Sequence, residues 1–177
     1  MDDKIFPSKK WERLVNSERE ERMSVKKFFD ISNPSPDEVW GDIGCGPGYF
    51  TLPLALKVKK IFAADISEEM LDICKSRSEE FNLSNIVYIK TGKDTLPIDS
   101  DLLDDVLLAN VYHEFPDRKK TNLELNRIMK NGGKLFVIDW RYKKMDFGPP
   151  LEHRITEEKL ITELKLSEFT FVDKYDL

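Results

Sequence analysis

Cysteine is scarce in this chain. Its two cysteines, Cys45 and Cys74, stand 29 positions apart with no metal-ligand neighbours. That pattern supports neither a disulfide framework nor a structural zinc site, and no metal is expected. Histidine is equally rare, with only His113 and His153. No apolar run approaches the roughly 20 residues that span a bilayer. The opening MDDKIFPSKKWERLV lacks the continuous apolar stretch of a secretory leader. A soluble, cytoplasmic protein with no membrane partner is expected. Internal repeats and low-complexity linkers are also missing. Neither sign of charge dominates: 28 basic residues face 33 acidic ones, and the net charge of −5 disfavours nucleic acid as a partner. A length of 177 residues suffices for one core. The expectation is a single domain over residues 1–177, with an N-terminal helical segment at 1–36 and an α/β core at 37–177.

What is present is alternation. Residues 8–30 carry Trp11, Leu14, Val15, Met23, Val25, Phe28 and Phe29 among charges, which reads as one or two amphipathic helices. Two prolines in NPSPDE end them. Short apolar runs at 39–43, 60–66, 86–90, 104–110 and 134–140 read as strands, with a last candidate at 169–175. Helical patterns lie between them at 50–58, 67–81, 117–130 and 156–166. Ser67 is a good N-cap with Glu68 and Glu69 at the positive end of the dipole, and Asn131–Gly133 offers C-cap residues to the 117–130 helix. Strand and helix at this spacing predict an α/β, Rossmann-like, doubly wound and mostly parallel sheet with helices on both faces. Its ligand crevice lies beyond the strand carboxyl ends, where the strand order reverses.

The sequence WGDIGCGPGYF falls at that place. Gly44, Gly46 and Gly48 follow the first strand, and the helix behind them offers free N–H groups suited to a pyrophosphate or a carboxylate. A dinucleotide fingerprint would need a third glycine where Tyr49 stands. Asp42, inside the strand end, would repel a pyrophosphate but complement an ammonium group. A ligand with carboxylate, ammonium and nucleoside fits better than a nicotinamide dinucleotide. Asp65 ends the second strand, where it can accept ribose hydroxyls, and Ile66 offers an apolar surface to a purine.

DIGCGPGYF together with AADIS resembles the class I S-adenosylmethionine (SAM) dependent methyltransferases, most closely the ubiquinone/menaquinone type, over about residues 39–140. The resemblance implies SAM as cofactor. Gly44, Cys45, Gly46 and Gly48 then hold its methionine portion, Asp42 its amino end and Asp65 its ribose. The family usually has an acidic adenine contact after the third strand, then Leu-Pro. Here TGKDTLPID keeps Leu96 and Pro97, but Gly92 stands at the acidic position. The adenine contact then falls to Asp94 or to the backbone at Gly92 and Lys93, while Asp94 reads equally well as a solvated loop residue. Asn110 ends the fourth strand, near the methionine portion in the family.

The methyl acceptor is expected beyond the fourth strand, at ANVYHEFPD. Tyr112 and Phe115 either enclose the sulfonium or substrate or pack the loop against the sheet. His113 is the candidate general base, since imidazole titrates near neutral pH (about 6.5). His153, with Glu152 and Arg154, is the second candidate for acceptor contact, and Asp139 and Trp140 face the same crevice. Trp11 and Phe28 or Phe29 form either a lid or a brace. The NVYH sequence is not the Pro-Pro-aromatic motif of base-methylating enzymes, and no basic and aromatic stripe compensates. A small-molecule acceptor is therefore expected. A non-catalytic SAM-binding sensor or partner domain is the alternative, with an RNA or protein methyltransferase less favoured. The family fold ends in two further strands, the last antiparallel beside the fifth. Either that strand is missing or residues 169–175 fill its place. A missing strand leaves an open edge that invites pairing, so a monomer or a homodimer is expected.

Overall fold

A computed structural model of the chain describes residues 6–176, so the first five residues of the expected N-terminal segment lie outside it. Five strands form one sheet: β1 (Val39–Ile43), β2 (Lys60–Asp65), β3 (Ile86–Lys90), β4 (Leu103–Ala109) and β5 (Met129–Ile138). The order is β3-β2-β1-β4-β5 and every pairing is parallel. The strand order reverses between β1 and β4, so the loops leaving those two strands flank one crevice.

The side-chain alternation of the strands divides the core. On one face Trp40 and Leu107 pack with Phe28, Phe50, Leu54 and Ile61. On the other, Ile43, Val106 and Leu108 pack with Leu125, Ile128 and Ile155. Burying each such side chain stabilises the fold by about 1.5–3 kcal/mol. Phe28, in α2 (Val25–Ser32), presents its ring edge-on to Trp40, Phe50 and Phe136, at centroid distances of 6.2, 5.2 and 5.6 Å. That helix is a brace. The lid position is taken by the shorter α1 (Ser17–Arg22) and a kinked 3₁₀ helix, Ser8–Leu14, before it.

Helix α3 (Thr51–Ala55) follows the glycine loop, with Pro53 in its first turn, where a missing amide costs nothing. In α4 (Glu68–Glu80), Ser67 caps as its sequence suggests, accepting from the Met70 amide at 3.3 Å. Helix α5 (Arg118–Ile128) is capped by Asp117, and α6 (Glu157–Lys165) by Thr156.

Two expectations are corrected. Asn131–Gly133 does not cap α5. That helix stops at Ile128, and Met129 already pairs with Leu103 at the start of β5. The three residues form the irregularity that shifts the register to Asp105 against Lys134. A side chain on Gly133 would strike the Asp104 carbonyl, so the bulge is built on close backbone approach. Residues 169–175 form no strand. The chain turns away after α6 through Glu168, whose φ is 68°, and Phe171, Val172 and Tyr175 are exposed. An alternating pattern makes a strand only where it reaches a free ladder. Among the described residues β5 is left as an edge strand, and no helix is long and apolar enough to cross a membrane.

Candidate functional site

Where β1 ends, Gly44 turns with φ 75°, and the Gly44 and Cys45 amides hook onto the Ala64 carbonyl of β2 at 2.7 and 3.1 Å. The glycines have different reasons to be there. A Cβ on Gly44 would come within 2.7 Å of the Val111 Cβ, in the loop after β4. A Cβ on Gly48 would press on Leu52 at 2.5 Å and the Cys74 sulfur at 2.6 Å. Gly46 differs: nothing lies nearer than Leu14 at 3.8 Å, and its surface is open to the cleft.

The cleft runs along the carboxyl ends of the strands and has a volume of about 1980 Å³. That exceeds an ordinary small-molecule site of about 300–1,000 Å³, because the space continues along the open side of β5 to residues 168–176. Gly44, Cys45, Gly46, Asp65, Ile66, Gly92, Lys93, Asp94, Asn110, His113 and His153 all border it. Asp42 and Gly48 do not. Asp42 stands behind the loop, and Gly48 lies against Leu52 and Cys74.

Asp42 is buried and accepts a 2.6 Å hydrogen bond from the Thr51 hydroxyl of α3. Burial pushes its pKa up to about 6, against the Thr51 bond; Asp65 adds to the rise and Arg19 opposes it. Asp65 accepts from the Gly46 amide at 2.8 Å and the Ser67 amide at 2.7 Å, one on each oxygen. Burial raises its pKa too, and those amides oppose the shift. It therefore ties the glycine loop to the second strand, and it borders the cleft with one amide donor on each oxygen. The contact with Cys74, and then burial, push the Cys45 thiol well above its ordinary range, so that wall is neutral. Asp94 is engaged by Lys120 at 3.2 Å. The Gly92 amide closes a turn onto the Thr95 carbonyl at 3.2 Å.

Asn110 sits in the left-handed region at φ 59°. Its amide donates to the Ile138 carbonyl at 2.7 Å, and its side chain meets the Met23 sulfur at 3.9 Å. Beyond it Tyr112 turns inward, away from the cleft. Its hydroxyl accepts from Asn122 at 3.1 Å and donates to Glu163 at 3.2 Å. Of the two aromatics only Phe115 borders the cleft.

His113 is buried, and its Nδ1 lies 2.7 Å from Asp139 Oδ1. Its backbone amide donates to the other oxygen of Asp139 at 3.1 Å, and the Trp140 amide donates to Oδ1 at 2.7 Å. The Nε2 atom is 4.0 Å from Glu114 Oε1. His153 comes from a 3₁₀ turn, Leu151–His153, half-buried at the same cleft. Its neighbours are not binding groups there. Glu152 is exposed outside the cleft. The buried Arg154 guanidinium is spent on the carbonyls of Pro149, Arg141, Lys143 and Phe147 at 2.8–3.2 Å, holding the loop after β5 together.

Sequence reasoning missed the contribution of α1. Asn16, Arg19, Arg22 and Met23 border the cleft from above. Tyr49 fixes them: its hydroxyl bonds to Glu20 at 2.5 Å and to the Met23 carbonyl at 2.9 Å. The aromatic residue that excluded a dinucleotide loop was the available signal.

Comparison with known proteins places the chain among methyltransferases. The family model described as "Methyltransferase domain" matches residues 41–137. The crystal structure of a SAM-dependent methyltransferase from Aquifex aeolicus superposes with a TM-score of 0.86 at 25% identity, covering 92% of this chain and 88% of that one. The ubiquinone/menaquinone biosynthesis C-methyltransferase UbiE of Wigglesworthia glossinidia brevipalpis is 27% identical over 120 residues, 66% of this chain and 48% of its own. The uncharacterized methyltransferase YcgJ of Bacillus subtilis is 26% identical over 134 residues, 72% of this chain and 52% of its own. The chain thus spans about half the length of the curated relatives it matches.

Proposed function

Because the chain belongs to the SAM-dependent methyltransferases of the methyltransferase-domain family, we propose that it methylates a small-molecule acceptor held between the loop after β4 and the end of β5. The observation that carries this reading is the buried His113–Asp139 pair at 2.7 Å, set at the rim of the cleft that also contains the glycine loop.

The residues present fit SAM. Gly46 leaves the loop open to the cleft, Asp65 retains acceptor capacity for ribose hydroxyls, and Ile66, Gly92, Lys93 and Asp94 enclose the adenine side. Asp42, behind the loop, supplies negative potential toward the ammonium and sulfonium rather than direct contact. When bound, SAM supplies an electrophilic methyl group, and the protein's part is orientation and proton removal.

The Asp139 carboxylate accepts the Nδ1 proton of His113, which leaves the Nε2 lone pair to take a proton from the acceptor. The imidazolium so formed is flanked by two carboxylates, Asp139 and Glu114. An acceptor with a weakly acidic O–H, N–H or activated C–H suits such a base. His153 borders the same cleft and adds a second imidazole for acceptor contact.

A panel of phenols, hydroxyquinones, amines and carbon acids, assayed with methyl-labelled SAM, tests the reading. Turnover of at least one class, abolished in His113→Gln while SAM still binds, is the expected result. Tight SAM binding with no turnover across the panel would favour the non-catalytic sensor instead.

A further inference from the structure

Among the described residues Arg19 is a cation with no hydrogen-bonded counter-ion. Asn16 caps α1 by accepting from the Arg19 amide at 3.1 Å, and this helix carries the guanidinium over the Tyr49 ring, 4.8 Å from its centroid. Tyr49 is itself locked to α1 through Glu20 and Met23, so the position of the guanidinium is fixed. Yet its Nε is buried with no hydrogen-bond partner, and among the described residues the guanidinium makes no hydrogen bond or ion pair. The neighbouring Arg22 is different: it pairs with Glu18 at 3.1 Å and lies over Phe147. Burial pulls Arg19 down to about 10, with Tyr49 and Asp42 opposing. Asp42 is near enough to feel the charge but accepts its hydrogen bond from the Thr51 hydroxyl.

A buried donor without an acceptor is costly. A planar guanidinium presents its N–H groups in the fork that a carboxylate fills. Arg19 borders the cleft, as do Gly44, Gly46 and Asn110, and Met23 at the end of the same helix meets the Asn110 side chain. Of the groups SAM carries, the methionine carboxylate is the anion.

We infer that Arg19 binds the carboxylate of the methionine portion of SAM, so that α1 recognises one charge of the amino-acid end while Asp42 supports the other. This rests on the SAM assignment and adds a residue to it from outside the glycine loop.

Calorimetry with SAM and with decarboxylated SAM, on the full chain and on Arg19→Met, tests it. The wild-type protein is expected to bind decarboxylated SAM about 10- to 100-fold more weakly, the range for charge-assisted hydrogen bonds. Arg19→Met is expected to lose affinity for SAM by a similar factor, while its affinity for decarboxylated SAM stays within about threefold. Equal wild-type affinity for the two compounds would overturn the inference, as would a variant that weakens both alike, which marks a structural role. If Arg19→Met melts below the assay temperature, Arg19→Lys decides. The point charge without the fork should lose several-fold for SAM alone, and an unchanged ratio of affinities overturns the inference. A wild-type chain that binds neither compound would instead sink the cofactor assignment.

Discussion

His113 and Asp139 meet twice, ring to carboxylate at 2.7 Å and backbone amide to carboxylate at 3.1 Å. The pair fastens the loop after β4 to the end of β5 and engages Nδ1, so that Nε2 is the nitrogen on the Glu114 side, 4.0 Å from Oε1. Asp139→Asn keeps the shape but can donate to Nδ1, which selects the wrong tautomer. The expected loss in kcat is about 10²- to 10⁴-fold, with SAM affinity within about threefold. His113→Gln should fall as far, and the double variant no further than the worse single one. Steady-state kinetics beside calorimetry check this. An Asp139→Asn protein with unaltered kcat would remove the base.

Asp42 predicts a pH dependence of stability. Its pKa of about 6 in the fold exceeds its ordinary 3.8, so the folded state holds the proton more tightly. The stability it contributes is complete below about pH 3.8 and is lost as pH rises through 6, on the order of 2–3 kcal/mol. Asp105, also raised to about 6 by burial, adds a slope of its own. The difference between wild type and Asp42→Asn in urea denaturation from pH 4 to 7 isolates the Asp42 part.

The same ionisation should favour a cationic ligand. SAM affinity is expected to rise about tenfold between pH 5 and 7, with Asp65 and Arg19 also in the field. In Asp42→Asn the rise should flatten, and calorimetry across that range decides.

Gly44→Ala forces a side chain into φ 75° and onto Val111. Strain and overpacking together predict a loss of about 2–4 kcal/mol in unfolding free energy. Val111→Ala in the same protein should recover the packing share and leave the backbone share. If Gly44→Ala denatures at the wild-type midpoint, the loop is not packed as described.

Arg154→Met leaves four carbonyls without their common donor. Hydrogen exchange in residues 141–150 should accelerate at least tenfold, and the acceptor KM should rise while SAM affinity holds. Protection unchanged in that loop would refute the staple.

The strand, glycine loop and helix of the candidate cofactor site were legible in the sequence because they are local. A strand, a bend of small residues and a capped helix announce themselves within about ten positions of WGDIGCGPGYF and AADIS. The pairing of His113 with Asp139 was not, although each was named for the same crevice, because the two belong to loops after different strands. His113 and Asp139 are 26 residues apart, and only the parallel pairing of β4 with β5 brings them together. Arg19 had no signal in a charged helix, and Arg154 read as an acceptor contact beside His153, whereas its guanidinium is taken up by loop carbonyls.

Hydrophobic period and glycine placement therefore determined the sheet and its crevice, since these follow from backbone geometry that nearby residues impose. Which ionisable groups are buried, paired or left wanting an anion was decided by tertiary structure alone. Charge and desolvation act through space and depend on what the fold places within a few ångströms. For the same reason residues 169–175 carry a strand's alternation without forming one: a ladder needs a neighbour, and sequence does not supply it.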